Sequence, residues 1–143
     1  MKSGAESLEG GCLCGAVRYR VTGEPLSLTI CHCRSCRRAS GAPTVAWAVF
    51  APGEFQWLRG EPVAFHSSPK VTRTFCGQCG TPLTYQHASR PDAIDLTTAT
   101  FDKPELLPPT KEIWTEHRIT WEVVNEALPQ YPGSSLDTVP KES

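Results

Sequence analysis

No run in this sequence is apolar enough to span a membrane, which takes roughly 18–20 consecutive apolar residues; Pro, Gly or a charged side chain interrupts every stretch sooner. Charge of one sign is also lacking. Fourteen Lys and Arg oppose 15 Asp and Glu, for a net charge of −1, so no global field recommends nucleic acid or an anionic bilayer as a partner. Residues 1–10 hold no apolar h-region and do not read as a signal peptide, so the expected location is the cytoplasm. No long amphipathic helix is written into the pattern, and nothing repeats beyond pairs of cysteines. These absences leave one soluble domain as the expectation: 143 residues at 39% hydrophobic content suffice for a single core.

Cysteine is what the chain has in excess. There are seven, an odd number that a disulfide framework would leave unmatched. In a reducing compartment they stay thiols or bind metal. They fall in three segments: Cys12 and Cys14, then Cys31, Cys33 and Cys36, then Cys76 and Cys79.

Between them the sequence reads as short strands. Val17 to Val21 alternates cleanly, with Val17, Tyr19 and Val21 inward and Arg18 and Arg20 outward. Leu26, Leu28 and Ile30 alternate again and lead into Cys31. Arg37 to Pro43 allows a short helical turn. Val45 to Phe50 is apolar throughout, as in a strand covered on both faces. Further strands are expected at 55–58, 63–65, 71–75, 83–85, 94–100, 113–114 and 119–124, separated by Gly and Pro. The expected fold class is mainly β, with many short antiparallel strands. A flexible segment is expected over 1–9, the folded domain over 10–131, and a disordered tail over 132–143.

The spacing of the cysteines carries the chemistry. Two cysteines one residue apart on a strand project to the same side, so Cys12 and Cys14 can grip one ion. Cys76-Gly77-Gln78-Cys79-Gly80 has the C-x-x-C spacing of a zinc knuckle. The two pairs together make a closed four-thiolate site, against the alternative of four buried free cysteines. After that pairing no fourth cysteine remains for Cys31, Cys33 and Cys36. On an extended segment His32 faces away from its neighbours, and three protein ligands with an open position is the catalytic pattern for zinc. A second structural site closed by His66, His87 or His117, and a different division of the seven thiols, remain alternatives. Arg34, Arg37 and Arg38 crowd the triplet and would favour an anionic substrate, or else form a solvated surface.

Three segments resemble one family. Gly11-Cys12-Leu13-Cys14-Gly15-Ala16-Val17-Arg18-Tyr19, Cys31-His32-Cys33-Arg34-Ser35-Cys36-Arg37-Arg38 and Phe75-Cys76-Gly77-Gln78-Cys79-Gly80-Thr81-Pro82-Leu83 are similar to the glutathione-dependent formaldehyde-activating enzymes, the CENP-V/GFA domain. The likeness runs from about Gly10 to Tyr131. It implies a β-tent of antiparallel sheets and two zinc ions, a structural one on Cys12, Cys14, Cys76 and Cys79 and a catalytic one on Cys31, Cys33 and Cys36. It also implies a carbon–sulfur lyase joining a glutathione-like thiol to a small aldehyde such as formaldehyde. Many members carry a histidine near the position of Glu112.

On this reading His32 is the candidate for moving the proton, and Arg34, Arg37 and Arg38 bind the substrate. The partners are a small thiol and an aldehyde, not nucleic acid or membrane, and a homodimer is left open. The rival readings are a binding module stabilised by two structural zincs, and a thiol or metal sensor.

Overall fold

The alternating and apolar runs become ten strands in a computed structural model that describes residues 7–135. In chain order they are β1 Ser7–Gly11, β2 Arg18–Thr22, β3 Ser27–Cys31, β4 Val45–Phe50, β5 Phe55–Arg59, β6 Val63–Ser68, β7 Val71–Phe75, β8 Pro82–His87, β9 Ile94–Thr97 and β10 Lys111–Ile113. One α-helix, α1 at Arg34–Ser40, follows β3. Strands β1, β2 and β5 form a three-stranded sheet, and the other seven form a second sheet in the order β10-β3-β4-β9-β8-β7-β6. The fold is mainly β, as expected. Every pair is antiparallel except β10 with β3, which run parallel. No helix among the described residues is long and apolar enough to cross a membrane.

The inward residues around β2 were legible: Val17, just before the strand, and Tyr19 and Val21 within it are buried. They pack with Phe50, Leu83, Leu96 and Phe101 into a core between the two sheets. A second cluster lies on one face of the larger sheet, around the three central cysteines, Trp47, Tyr85 and Trp114.

Five expectations are corrected. Leu8 is buried and residues 7–9 belong to β1, so order begins before Gly10. The helix begins at Arg34 rather than Arg37, because Cys33 caps it. Strand β9 stops at Thr97, and Thr98–Thr100 form a 3-10 turn. Residues 119–124 form no strand, and Trp121 and Val123 are exposed. Their alternation finds no partner, because the free edge of β10 is already taken: Glu112 N–H donates to Pro129 O and Tyr131 N–H to Glu112 O. Finally, the start of the expected tail is anchored. Trp114 N–H donates to Gly133 O and Glu116 N–H to Pro132 O. The rest of that tail, 136–143, and residues 1–6 of the flexible segment lie outside the described residues.

Candidate metal centres

Two groups of thiols converge. The sulfurs of Cys12, Cys14, Cys76 and Cys79 lie within 4.8 Å of one another, and so do those of Cys31, Cys33 and Cys36. None of the seven cysteines is joined in a disulfide.

Turns, not strands, shape the first group. Cys12 and Cys14 follow β1 in a tight loop in which Gly15 N–H donates to Cys12 O, with Gly15 at φ +81°. Cys76 and Cys79 sit between β7 and β8 in a turn closed by Gly80 N–H on Cys76 O, with Gly80 at φ +83°. These positive angles are those that glycine adopts without a steric penalty. Backbone N–H groups aim at sulfur: Val17 at Cys12 (3.3 Å), and Gln78 and Cys79 at Cys76 (3.3 and 3.4 Å). Donors directed at sulfur favour the thiolate. The Thr81 hydroxyl, 3.2 Å from Cys79 Sγ, with the Thr81 and Cys14 backbone, draws that thiol down to about 5.

The second group is built where β3 ends and α1 begins. Cys31 is the last residue of β3, and Cys33 is the N-cap of α1, with extended backbone at φ −64° and ψ 150°. Its sulfur accepts from Cys36 N–H at 3.2 Å, in the place a serine hydroxyl usually takes. Cys33 N–H points at Cys31 Sγ (3.5 Å), and the sulfurs of Cys31 and Cys36 are 3.7 Å apart. All three side chains are buried. Hydrogen bonding with Cys33 and Cys36, added to burial, pushes Cys31 well above the usual thiol range. Three cysteines converging in so small a buried volume can be thiolates together only around a cation, so the donor set fits a soft divalent metal such as zinc. Among the described residues no histidine, aspartate or glutamate atom joins the triplet. His66 instead meets Thr72, His87 Nδ1 accepts from Ser89 N–H, and His117 stacks on Trp114.

Strand register gives the triplet its surroundings. Ser27 pairs with Val49, Val49 with Asp95, Asp95 with Tyr85, and Tyr85 with Arg73, a row across five strands of the larger sheet. Thr29, Cys31 and Trp47 lie on the same face by the two-residue rule. That face lines a cavity of about 50 Å³ bounded by Cys31, Cys36, Trp47, Tyr85, Asp95 and Trp114. Burial pushes Asp95 up to about 6, although Arg90, 3.2 Å away, and Arg73 hold it down. Trp114 has φ +57°, the one positive φ outside glycine among the described residues, and only 4% of it is exposed.

The expected functional residues separate. His32 is 1% exposed on the opposite face, and its Nε2 is bonded to Glu112 Oε1 at 2.5 Å. Glu112 Oε2 in turn accepts from Asn125 N–H. The pair lines neither cavity. Arg34 is exposed, Arg37 reaches His117 O at 3.4 Å, and Arg38 lines a second, wider cleft. Arg73 had not been singled out. Its Nη2 lies 3.9 Å from Cys36 Sγ, its Nε donates to Ser67 Oγ at 3.0 Å, and its guanidinium lies over the Tyr85 ring. The available signal was a charge at an inward position, since Arg73 has the parity of buried Val71. Asp95, inside the buried run Ile94–Thr97, gave the same signal.

Comparison with known proteins points in one direction. A family model described as glutathione-dependent formaldehyde-activating enzyme matches residues 7–117. The chain is 32% identical over 82 residues to an uncharacterized lyase of Schizosaccharomyces pombe, a stretch covering 57% of this chain and 58% of that protein. It is 27% identical over 126 residues to a Halomonas elongata protein named provisionally as a glutathione-dependent formaldehyde-activating enzyme, covering 80% of this chain and 78% of that one. A crystal structure of a Rhodobacter sphaeroides protein superposes with a TM-score of 0.56 at 25% identity, over 66% of this chain and 87% of the other.

Proposed function

The chain belongs to the glutathione-dependent formaldehyde-activating enzyme family, and from that premise we propose that it is a zinc-dependent carbon–sulfur lyase. It adds a glutathione-like thiol to a small aldehyde such as formaldehyde, or runs the reverse. The observation that carries this reading is the triplet: three buried thiols converge beside a cavity, with no fourth ligand atom among the described residues. Cys31, Cys33 and Cys36 would hold one ion; Cys12, Cys14, Cys76 and Cys79 would hold a structural one. Zinc at the triplet would supply Lewis acidity toward a thiol sulfur or a carbonyl oxygen.

The chain's own residues do the rest. The reaction forms a C–S bond, turns the carbonyl into a hydroxyl, and moves one proton from sulfur to oxygen without redox change. Trp47, Tyr85 and Trp114 wall the cavity and exclude water. The Arg73 charge offsets the negative charge of the thiolates. Arg34, Arg37 and Arg38 add positive charge on α1 that attracts an anionic thiol. His32 positions β10 through Glu112, which keeps Ile113 and Trp114 at the cavity.

The test is cobalt substitution. Added glutathione is expected to change the visible spectrum of the cobalt protein, and proton NMR is expected to show the hydroxymethyl thioether forming faster than in buffer. An unmoved spectrum together with a background rate would leave the binding-module reading in place.

A further inference from the structure

The cavity beside the triplet is larger than a one-carbon aldehyde needs, and part of its wall is polar. It measures about 50 Å³. At roughly 10–15 Å³ for each water-sized position, that is room for about four atoms. Formaldehyde, with a single carbon and a single oxygen, fills half of it. Cys31, Cys36, Trp47 and Trp114 supply the part of the wall that belongs to the triplet. Arg90 and Asp95 line the same cavity and play no part in holding a metal.

These two residues form a buried ion pair with one donor to spare. Arg90 Nη2 donates to Asp95 Oδ1 at 3.2 Å, and only 11% and 12% of the two side chains are exposed. The Nε of Arg90 is also buried, yet it has no acceptor among the described residues. Buried donors in folded proteins nearly always have a partner, so one without a protein acceptor in a cavity wall calls for a ligand atom. The pair offers a donor and an acceptor side by side. A hydroxyl matches both, since it can accept from Nε and donate to the carboxylate. A carboxylate on the ligand is repelled by Asp95, and a methyl group leaves Nε unbonded.

We propose that the cavity takes an aldehyde with a hydroxyl on the neighbouring carbon, a 2-hydroxyaldehyde, and that Arg90 with Asp95 selects it by binding that hydroxyl. The assignment rests on the lyase reading for the carbonyl chemistry and adds the class of aldehyde. Glycolaldehyde, the smallest member, has about as many non-hydrogen atoms as the cavity holds. The thiol sulfur bonds to the carbonyl carbon, the carbonyl π pair moves onto its oxygen, and that oxygen takes the proton the thiol gives up. No oxidant or reductant enters, and the second hydroxyl changes no bond. It only fixes the aldehyde in place, which is where a charged hydrogen bond from a guanidinium is most selective.

Acetaldehyde has the same carbon skeleton without the hydroxyl and serves as the control. With zinc-loaded protein and glutathione, proton NMR measures hemithioacetal formation from each aldehyde against its rate in buffer. The acceleration is expected to be about tenfold or more greater for glycolaldehyde than for acetaldehyde, as one hydrogen bond to a charged group implies. Glyoxylate, with a carboxylate in place of the hydroxyl, is expected to gain no more than acetaldehyde. Arg90→Met combined with Asp95→Asn removes the donor without leaving a buried charge unpaired, and is expected to bring the accelerations of glycolaldehyde and acetaldehyde together. Wild type that accelerates both alike, or prefers glyoxylate, overturns the proposal whether or not the double variant folds. A folded double variant that still discriminates overturns it too. Failure of the lyase reading looks different: no aldehyde exceeds its rate in buffer, and the substrate assignment falls with it.

Discussion

At Cys33 one sulfur caps the helix and is also a proposed metal donor, and this makes its replacement informative. Serine is among the best N-cap residues, so Cys33→Ser should keep the start of α1 while removing a donor. Cys33→Ser and Cys36→Ser are therefore expected to leave the thermal melt nearly unchanged and to abolish activity. Cys12→Ser and Cys79→Ser remove donors from a site whose binding energy is folding energy, and should lower the melting temperature sharply. Circular dichroism melts on the four variants decide this; equal destabilisation would make the triplet a structural centre. Asp95 gives a second prediction at this scale. Its native pKa, about 6, lies above the ordinary 3.8 because burial disfavours the carboxylate. The folded state therefore holds this proton more tightly than the unfolded chain does. The resulting stabilisation is complete below pH 3.8 and is lost as pH rises through about 6. Asn has no such dependence. The stability of Asp95→Asn minus that of wild type should thus move in the variant's favour by about 3 kcal/mol between about pH 4 and about pH 7. Urea denaturation at both ends measures it.

Strands and turns differ in how plainly the sequence announces them. Strand β2 was legible because Tyr19 and Val21 alternate with arginines, and β4 because Val45 to Phe50 has no polar position to expose. The cysteine segments were legible because ligand spacing is a local property. What failed was the pairing of elements distant in sequence. Ile119, Trp121 and Val123 alternate as well as β2 does, yet the β10 edge is already paired with residues 129–131. Thr29 and Cys31 turn inward on β3 while Leu26 is exposed, because the inward face is defined by the triplet rather than by leucines. The contacts of Arg73 and Glu112 also needed the folded chain, since each joins residues far apart: Arg73 to Cys36, and Glu112 to His32 and Asn125. The Glu112 contacts carry a prediction for β10. Glu112→Ala strips the acceptor from a buried imidazole and from Asn125 N–H, so a loss of about 3 kcal/mol is expected. Amide exchange should speed up selectively over 111–114 and 129–133. Unchanged exchange there would mean that β10 is held by its backbone alone.

Across the whole molecule the four-thiol group ties the two sheets together, one pair following β1 in the small sheet and the other joining β7 to β8 in the large one. Closing so long a loop costs only about a few kcal/mol, whereas structural zinc contributes roughly 10–16 kcal/mol in small peptides. Two ions per chain are expected, the one at the triplet held less firmly. Elemental analysis under reducing conditions should give between one and two zincs per chain. A chelator should first remove activity without unfolding and only later collapse the dichroism signal. A reduced, zinc-free chain that stays folded would contradict this.

The two borders of the seven-stranded sheet are treated differently. The β10 border is sealed by residues 129–131, with a parallel bridge from Glu112 to Gln130. The β6 border is open, with Val63 and Phe65 exposed and a register irregularity between Phe65 and Ser68. An unpaired strand is a template for further strands, and an irregular one accepts them poorly. Growth of this sheet by strand addition therefore has one direction only. Two copies meeting through β6 would each have spent that direction, so recruitment stops at a pair and a fibril cannot propagate along this sheet.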